Sequence, residues 1–312
     1  MTAAMPQAAA PANDQRIGAV LVFGSAVVWS FGGMLVRFLP DADSWTIVFW
    51  RSVFAALFLL GFMALRDGPR TMLRLFPAMG LPGVAVGACF ATASTSFVLA
   101  LSYTTVANVV LIGAAVPLIA ALMSWLIFRE RVSLTTWIAI ALVIAGVGIM
   151  VSDSMTGSVS PLGDALAVLV ALAFASATVI TRRFAHVRMT PAVCLGTLMA
   201  ATMAATQTPA FAVTAQEMLV LIALGALNFG LGLALFVTGA RLIPSALAAL
   251  LGTAETVLQP LWVAIVHGEI PAASTMIGGA VMLVALFGYL TVEMLRQQRR
   301  PAAADVKPVP KP

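Results

Sequence analysis

Residues 106–151, VANVVLIGAAVPLIAALMSWLIFRERVSLTTWIAIALVIAGVGIMV, run from one long apolar stretch through Phe128-Arg129-Glu130-Arg131 into a second. Residues 245–290, SALAALLGTAETVLQPLWVAIVHGEIPAASTMIGGAVMLVALFGYL, do the same through His267-Gly268-Glu269. Each stretch is near the ~20 residues that carry a helix across the hydrocarbon of a bilayer. Hydrocarbon offers no hydrogen-bond partner, so a crossing segment satisfies its own backbone, and at this spacing the α-helix is the form that does so. The two segments also match each other. At an offset of 139, Leu111-Ile112-Gly113 aligns with Leu250-Leu251-Gly252, Glu130 with Glu269, and Thr136-Trp137-Ile138 with Thr275-Met276-Ile277.

Outward from this pair the pattern continues, giving ten spans: 17–38, 45–65, 75–100, 106–128, 134–151, 162–181, 190–211, 218–240, 245–266 and 273–293. The composition agrees: 61% of residues are hydrophobic and 9% charged, with a mean hydropathy of +1.04, outside the range of soluble domains. A second offset, 145, aligns Gly18 with Gly163, Leu21 with Leu166, Trp29 with Phe174 and Arg37 with Arg182. The repeat unit is therefore five helices. Five is odd, so the second copy enters from the opposite side, and the halves are related by a pseudo-two-fold axis in the membrane plane. The predicted fold is an all-α polytopic membrane protein of ten transmembrane helices in two inverted five-helix repeats, 16–152 and 153–295. The segment 1–15 reads as a disordered, Ala/Pro-rich tail without a signal-peptide pattern, and 296–312 as a basic disordered tail.

Of the seventeen Lys and Arg residues, all but Arg37 and Arg51 fall on one side of the ten spans, in the tails and in connections such as Arg66-Arg74, Arg129-Arg131 and Arg182-Arg188. The positive-inside rule makes that side the cytoplasm, with both termini there, in a cell inner (plasma) membrane. The positive charge flanks membrane spans rather than forming an RNA-binding face, so no nucleic acid is expected as partner; the lipid bilayer and a small-molecule substrate are. Cys89 and Cys194 lie within spans and read as packing residues. No His-Glu-x-x-His, Gly-x-Ser-x-Gly, Walker loop or intramembrane aspartate pair occurs, and His186 and His267 sit at span ends, which disfavours an enzyme or an ATP-driven pump and implies no cofactor or metal.

Val116-Pro117 before Phe128-Arg129-Glu130-Arg131, Ala254-Glu255-Thr256 before His267-Gly268-Glu269, and Arg51 in span 2, set in two five-helix repeats, resemble the EamA-domain branch of the drug/metabolite transporter superfamily over residues 17–293. Where relatives commonly carry Glu-Pro, this chain has Glu255-Thr256, with its proline at Pro260. The resemblance implies a secondary transporter that exports small metabolites, amino acids and aromatic ones prominent among them. Drug-like, sugar-phosphate and nucleotide-linked solutes are the alternative cargo, and a channel or a membrane-embedded enzyme the alternative classes.

Glu255 lies ten residues into span 9, near the bilayer midplane, where a carboxylate costs ~3 kcal/mol or more unless it is protonated, paired or facing a cavity. It reads either as a ligand for a substrate ammonium or a proton-coupling residue, or as a protonated structural acid, and Gln259 shares its face one turn on. Trp29 and Phe174, repeat mates in mid-span, are candidate walls of an apolar cavity built from spans 1, 3, 4, 6, 8 and 9. Thr92, Thr95 and Ser96 in span 3, Asn108 in span 4 and Asn228 in span 8 are candidate solute ligands, although such residues also bond neighbouring helices. Pro117 and Pro260 each free a backbone carbonyl and are candidate gating kinks. Arg51, ~9 Å from the outer end of span 2, is expected to cap carbonyls or to pair with an acid such as Asp43 while its stem snorkels outward.

Overall fold

Each predicted span is helical in the computed structural model, which describes residues 12–128, 134–155, 160–184, 187–239, 242, 245–270 and 272–299. Span 1 comprises α1 (Ala12–Ser30) and α2 (Gly32–Val36); span 2 is α3 (Ser44–Asp67). A short helix α4 (Pro69–Ala78) precedes span 3, α5 (Gly80–Leu101), and span 4 comprises α6 (Val106–Gly113) and α7 (Val116–Phe128). Spans 5, 6 and 7 are α8 (Leu134–Met155), α9 (Pro161–Arg183) and α10 (Thr190–Gln207). Span 8 runs through α11 (Ala215–Ile222), a π-helical segment (Ala223–Gly230) and α12 (Leu231–Gly239); spans 9 and 10 are α13 (Ser245–His267) and α14 (Ala273–Arg299). Arg129, Glu130, Arg131, His186 and Arg241 lie outside the described residues, as does most of both tails.

The duplication read from the sequence governs the packing. Span 1 packs against spans 8 and 9, while its mate, span 6, packs against their mates, spans 3 and 4. Span 2 packs on span 8 as span 7 packs on span 3, and spans 2 and 7, 4 and 9, and 5 and 10 pair with their own mates. That set of neighbours maps onto itself under a shift of five helices, as two inverted repeats require. Small residues bring these helices close. A Cβ on Gly196 would stand 2.7 Å from the Gly87 carbonyl oxygen, and one on Gly87 would stand 2.9 Å from the carbonyl oxygen of Ala192, so α5 and α10 touch backbone to backbone. Two buried clusters fill the bundle, one around Leu39, Ile47, Leu101 and Val106 at the Arg37 end, the other around Met63, Met79, Phe90 and Met189 towards the Asp67 end.

The boundaries differ from expectation in places where the reason is visible. The third span does not begin at 75: Gly80 adopts φ +57°, a left-handed conformation open to glycine, and the chain turns there. The preceding residues form α4, which keeps Arg70, Leu73 and Arg74 exposed while Met72 and Phe76, four apart, pack on the second cluster. Span 4 is interrupted at Ala114-Ala115, two residues before Pro117, whose ring and missing N–H disfavour a continuous helix behind it. Span 9 runs unbroken through Pro260. Arg51 does not snorkel outward and does not meet Asp43, because the Asp43 carboxylate accepts the Trp45 and Thr46 N–H groups as the N-cap of α3. Arg51 is 3% exposed and takes the other expected role, capping a carbonyl: it donates to the Ser94 carbonyl (2.8 Å) and hydroxyl, and its guanidinium lies 4.4 Å over the Phe229 ring.

In the π segment, hydrogen bonding to the fifth residue widens each turn, so residues five apart come to share a face. Gly225 and Gly230 both face α3, the first against the Arg51 carbonyl and Phe54, the second against Phe58.

Candidate functional site

The break in span 1 organises the centre of the bundle. Phe31 stands in a turn between α1 and α2, and a broken helix leaves carbonyls without their regular partners. Asn228, from the π segment, donates its side-chain amide to the Val28 and Trp29 carbonyls there. Trp262 of α13 stacks on Phe31 with ring centroids 5.1 Å apart and donates its indole N–H to the Ser30 hydroxyl at 3.0 Å. The break is thus held by spans 8 and 9 together, and Asn228 is engaged with backbone.

On one side of the break lies an aromatic cluster. Trp29 meets Phe174 edge-on at 6.5 Å and Phe236 at 5.4 Å, and Phe174 meets Phe90 at 5.2 Å, joining spans 1, 6, 8 and 3. Gly232 makes room for the indole, since a Cβ there would fall on the Trp29 ring. The Trp29 indole N–H is buried and has no hydrogen-bond partner among the described residues, although buried Trp N–H groups usually find one.

On the other side, the lack of a Cβ at Gly33 lets Val106 and Gln259 close against α2. Gln259 is 0% exposed, and neither its amide oxygen nor its nitrogen has a partner among the described residues. Glu255, one turn earlier on α13, is half-buried, with no hydrogen bond or ion pair among the described residues. An orphaned amide in a membrane bundle costs on the order of 1–3 kcal/mol, and both the Gln259 amide and the Trp29 indole N–H carry that cost among the described residues.

The remaining candidates fall elsewhere. Thr95 and Ser96 are buried in α5, with the Thr95 hydroxyl unpartnered among the described residues, whereas Thr92 on the same helix is exposed. Asn108 and Thr104 each donate to Asp164 at 3.3 Å, tying α6 to the start of α9. Pro260 lines a narrow crevice with Val106, Ala107, Val263 and Glu269. Pro117 is the second residue of α7, and its side chain lies outside the described set.

Two features went unread in the sequence. Phe90 and Phe236 complete the aromatic cluster, yet each is an ordinary apolar residue of an apolar span. Arg37 and Glu269 form an ion pair of 2.9 Å. Arg37 also donates to the Leu101 and Thr104 carbonyls, and Glu269 accepts the Val106 N–H. The offsets that aligned Arg37 with Arg182 and Glu130 with Glu269 marked both residues, although nothing in them joined one to the other.

Comparison with curated protein sequences returns no match. Among solved structures, one described only as a crystal structure of a protein superposes with a TM-score of 0.64 over 91% of this chain and 99% of that one, at 19% identity, a likeness of fold. The family model described as EamA-like transporter family matches residues 16–152 and again 161–291. Two matches, one per five-helix repeat, cover most of the chain, which therefore belongs to the EamA-like transporter family and is a multi-pass membrane transporter of small solutes.

Proposed function

We propose that this transporter is a secondary carrier exporting amino acids, aromatic or otherwise apolar ones above all, together with related small metabolites. It works in the cell inner membrane by alternating access, with both termini cytoplasmic. The observation that carries the reading is Trp29: a buried indole N–H without a partner among the described residues, set in an aromatic cluster beside the break in span 1. The aromatic faces of Trp29, Phe174 and Phe236 take an apolar side chain by burial and stacking. The polar part of the solute then answers the groups left over: its carboxylate accepts from the Trp29 indole and the Gln259 amide, and its ammonium faces Glu255. Broken or widened helices at mid-membrane are where secondary transporters hold their cargo, because only there are backbone and side-chain polar groups free inside the bilayer. The repeats 16–152 and 153–295 rock about this site, and Glu255 is the residue through which a proton gradient would act.

The test is uptake of a radiolabelled amino-acid panel into liposomes containing the purified protein, with and without a pH gradient, for the unmodified chain and for Trp29→Phe, which keeps the ring and removes the N–H. Saturable flux of aromatic amino acids, with weaker apparent binding in Trp29→Phe, supports the reading. Flux unaltered in Trp29→Phe, Gln259→Leu and Glu255→Gln alike overturns the site, and no flux of any panel member in folded protein overturns the substrate class.

A further inference from the structure

We propose that the Arg37–Glu269 ion pair is the gate of a passage lying between α6 and α13 at the Arg37 end of the bundle, the exit side in the orientation above. The inference rests on the alternating-access reading but not on the identity of the solute. Arg37 closes span 1, in the first repeat, whereas Glu269 stands in the connection between spans 9 and 10, in the second, so the pair bridges the two halves that must separate.

Each partner has a second attachment at a helix end. Arg37 donates to the Leu101 carbonyl (3.0 Å) and the Thr104 carbonyl (3.3 Å) beyond α5, and Glu269 accepts the first N–H of α6, from Val106, at 3.2 Å. The carboxylate thus reaches from the second repeat onto the post formed by α6. Glu269 also lines the narrow crevice formed with Val106, Ala107, Pro260 and Val263. Val106, which lines the crevice, and Gln259, the orphaned amide of the central site, both close against Gly33, so the crevice and that site share a wall.

The same end carries a second cross-repeat attachment of opposite character. Asp164, at the start of α9, accepts from Thr104 and Asn108 and is buried. The Arg37 and Glu269 side chains are 29% and 24% exposed, within reach of water and salt, and pairs in that setting are weak. The buried Asp164 contact therefore serves as the pivot on which the two halves stay joined while the half-buried pair parts. Gly268 adopts φ +68° and has nothing within 4 Å of a Cβ built on it, so the turn presenting Glu269 has room to swing.

The experiment places a cysteine at Val263, in the crevice, in full-length protein with Cys89→Ala and Cys194→Ala, and measures its labelling by a membrane-impermeant maleimide applied to each face in turn. Glu269→Gln and Arg37→Gln are expected to raise labelling from the exit face by about fivefold, the ratio that loss of an exposed ion pair allows. Raising the salt concentration should do the same in the intact pair and little in Glu269→Gln. A cysteine at Met63, fully buried towards the other end, reports general loosening and should stay unlabelled. Unchanged labelling of Val263→Cys in both gate variants overturns the proposal, as does a rise matched at Met63→Cys. Labelling that behaves as expected while no amino acid is carried leaves the gate standing and removes the proposed substrate.

Discussion

Gly196→Ala is the most exacting test of how the two repeats meet. Its added Cβ would stand 2.7 Å from the Gly87 carbonyl oxygen and 3.1 Å from the Phe90 Cβ. Carbon and carbonyl oxygen in favourable contact stand about 3.3–3.6 Å apart, so α5 and α10 must part by more than half an ångström along that contact. That oxygen belongs to the backbone and cannot rotate away. Overpacking of this kind costs about 1–3 kcal/mol, against which the replacement of glycine in a helix interior returns up to about 1 kcal/mol. The net expectation is a loss of about 1–2 kcal/mol. Gly61 supplies the control, because a Cβ there meets nothing within 4 Å, so Gly61→Ala should be neutral or stabilising by up to about 1 kcal/mol. Reversible unfolding in mixed micelles by titration with a denaturing detergent measures both. The double variant Gly87→Ala/Gly196→Ala should cost less than the sum of its parts, since the first methyl already separates the helices. Gly196→Ala as stable as Gly61→Ala would refute the backbone contact and, with it, the close junction between span 3 of one repeat and span 7 of the other.

Further outcomes follow from other contacts. Asn228→Leu strips the Val28 and Trp29 carbonyls of their side-chain donor and should lower stability in the same titration by about 1–2 kcal/mol; a change below the error of the method would mean that the break in span 1 is held by other contacts. Gly232→Ala drives a methyl into the Trp29 indole and should weaken solute binding in equilibrium dialysis by about tenfold or more, as an overpacked pocket loses about 1–3 kcal/mol, while Gly113→Ala, with nothing within 4 Å, leaves binding intact; equal affinities in the two would detach Trp29 from the site. Asp67→Asn removes the carboxylate that Arg188 reaches at 3.1 Å and should cost no more than about 1 kcal/mol, because the pair is partly exposed; a loss several times larger would show that spans 2 and 7 depend on it.

The ten spans were legible because membrane crossing imposes length and hydropathy together, and the inverted duplication because Gly, Glu and Arg recur at matching offsets. The offset of 145 also aligned Trp29 with Phe174, whose rings stand 6.5 Å apart. Proline forecast one interruption, at Ala114-Ala115 before Pro117, but α13 passes Pro260 without a break. The interruption at Phe31 was legible only in part: Gly32-Gly33 directly after it weaken a helix there, whereas the contacts that hold it are tertiary, an amide from span 8 and an indole from span 9 closing on it. The Arg37–Glu269 pair spans 232 residues of sequence, a separation at which single-chain patterning says nothing about contact. Of the two roles expected of Arg51, the carbonyl cap is the one observed, at Ser94; Asp43 is engaged by its own helix N-terminus, and Ser94 and Phe229 become nameable as partners only where spans 2, 3 and 8 converge.

The π segment of span 8 makes the length of that helix part of its meaning. Deleting one residue between Gly225 and Gly230 would let the stretch close into ordinary α-helix, a gain in hydrogen-bond geometry. That closure keeps the rest of the span roughly in phase, because the widened turn is what absorbs an extra residue; a residue deleted from α11 instead, with the π segment kept, would turn everything beyond it by about 100° about the helix axis. Gly232 would no longer stand under the Trp29 indole, and Phe236 would leave its ring contact. The span is therefore one in which substitutions are gradual and changes of length are abrupt. A chain shortened in α11 in which Gly232→Ala still weakened solute binding would show that the π segment takes up the missing residue.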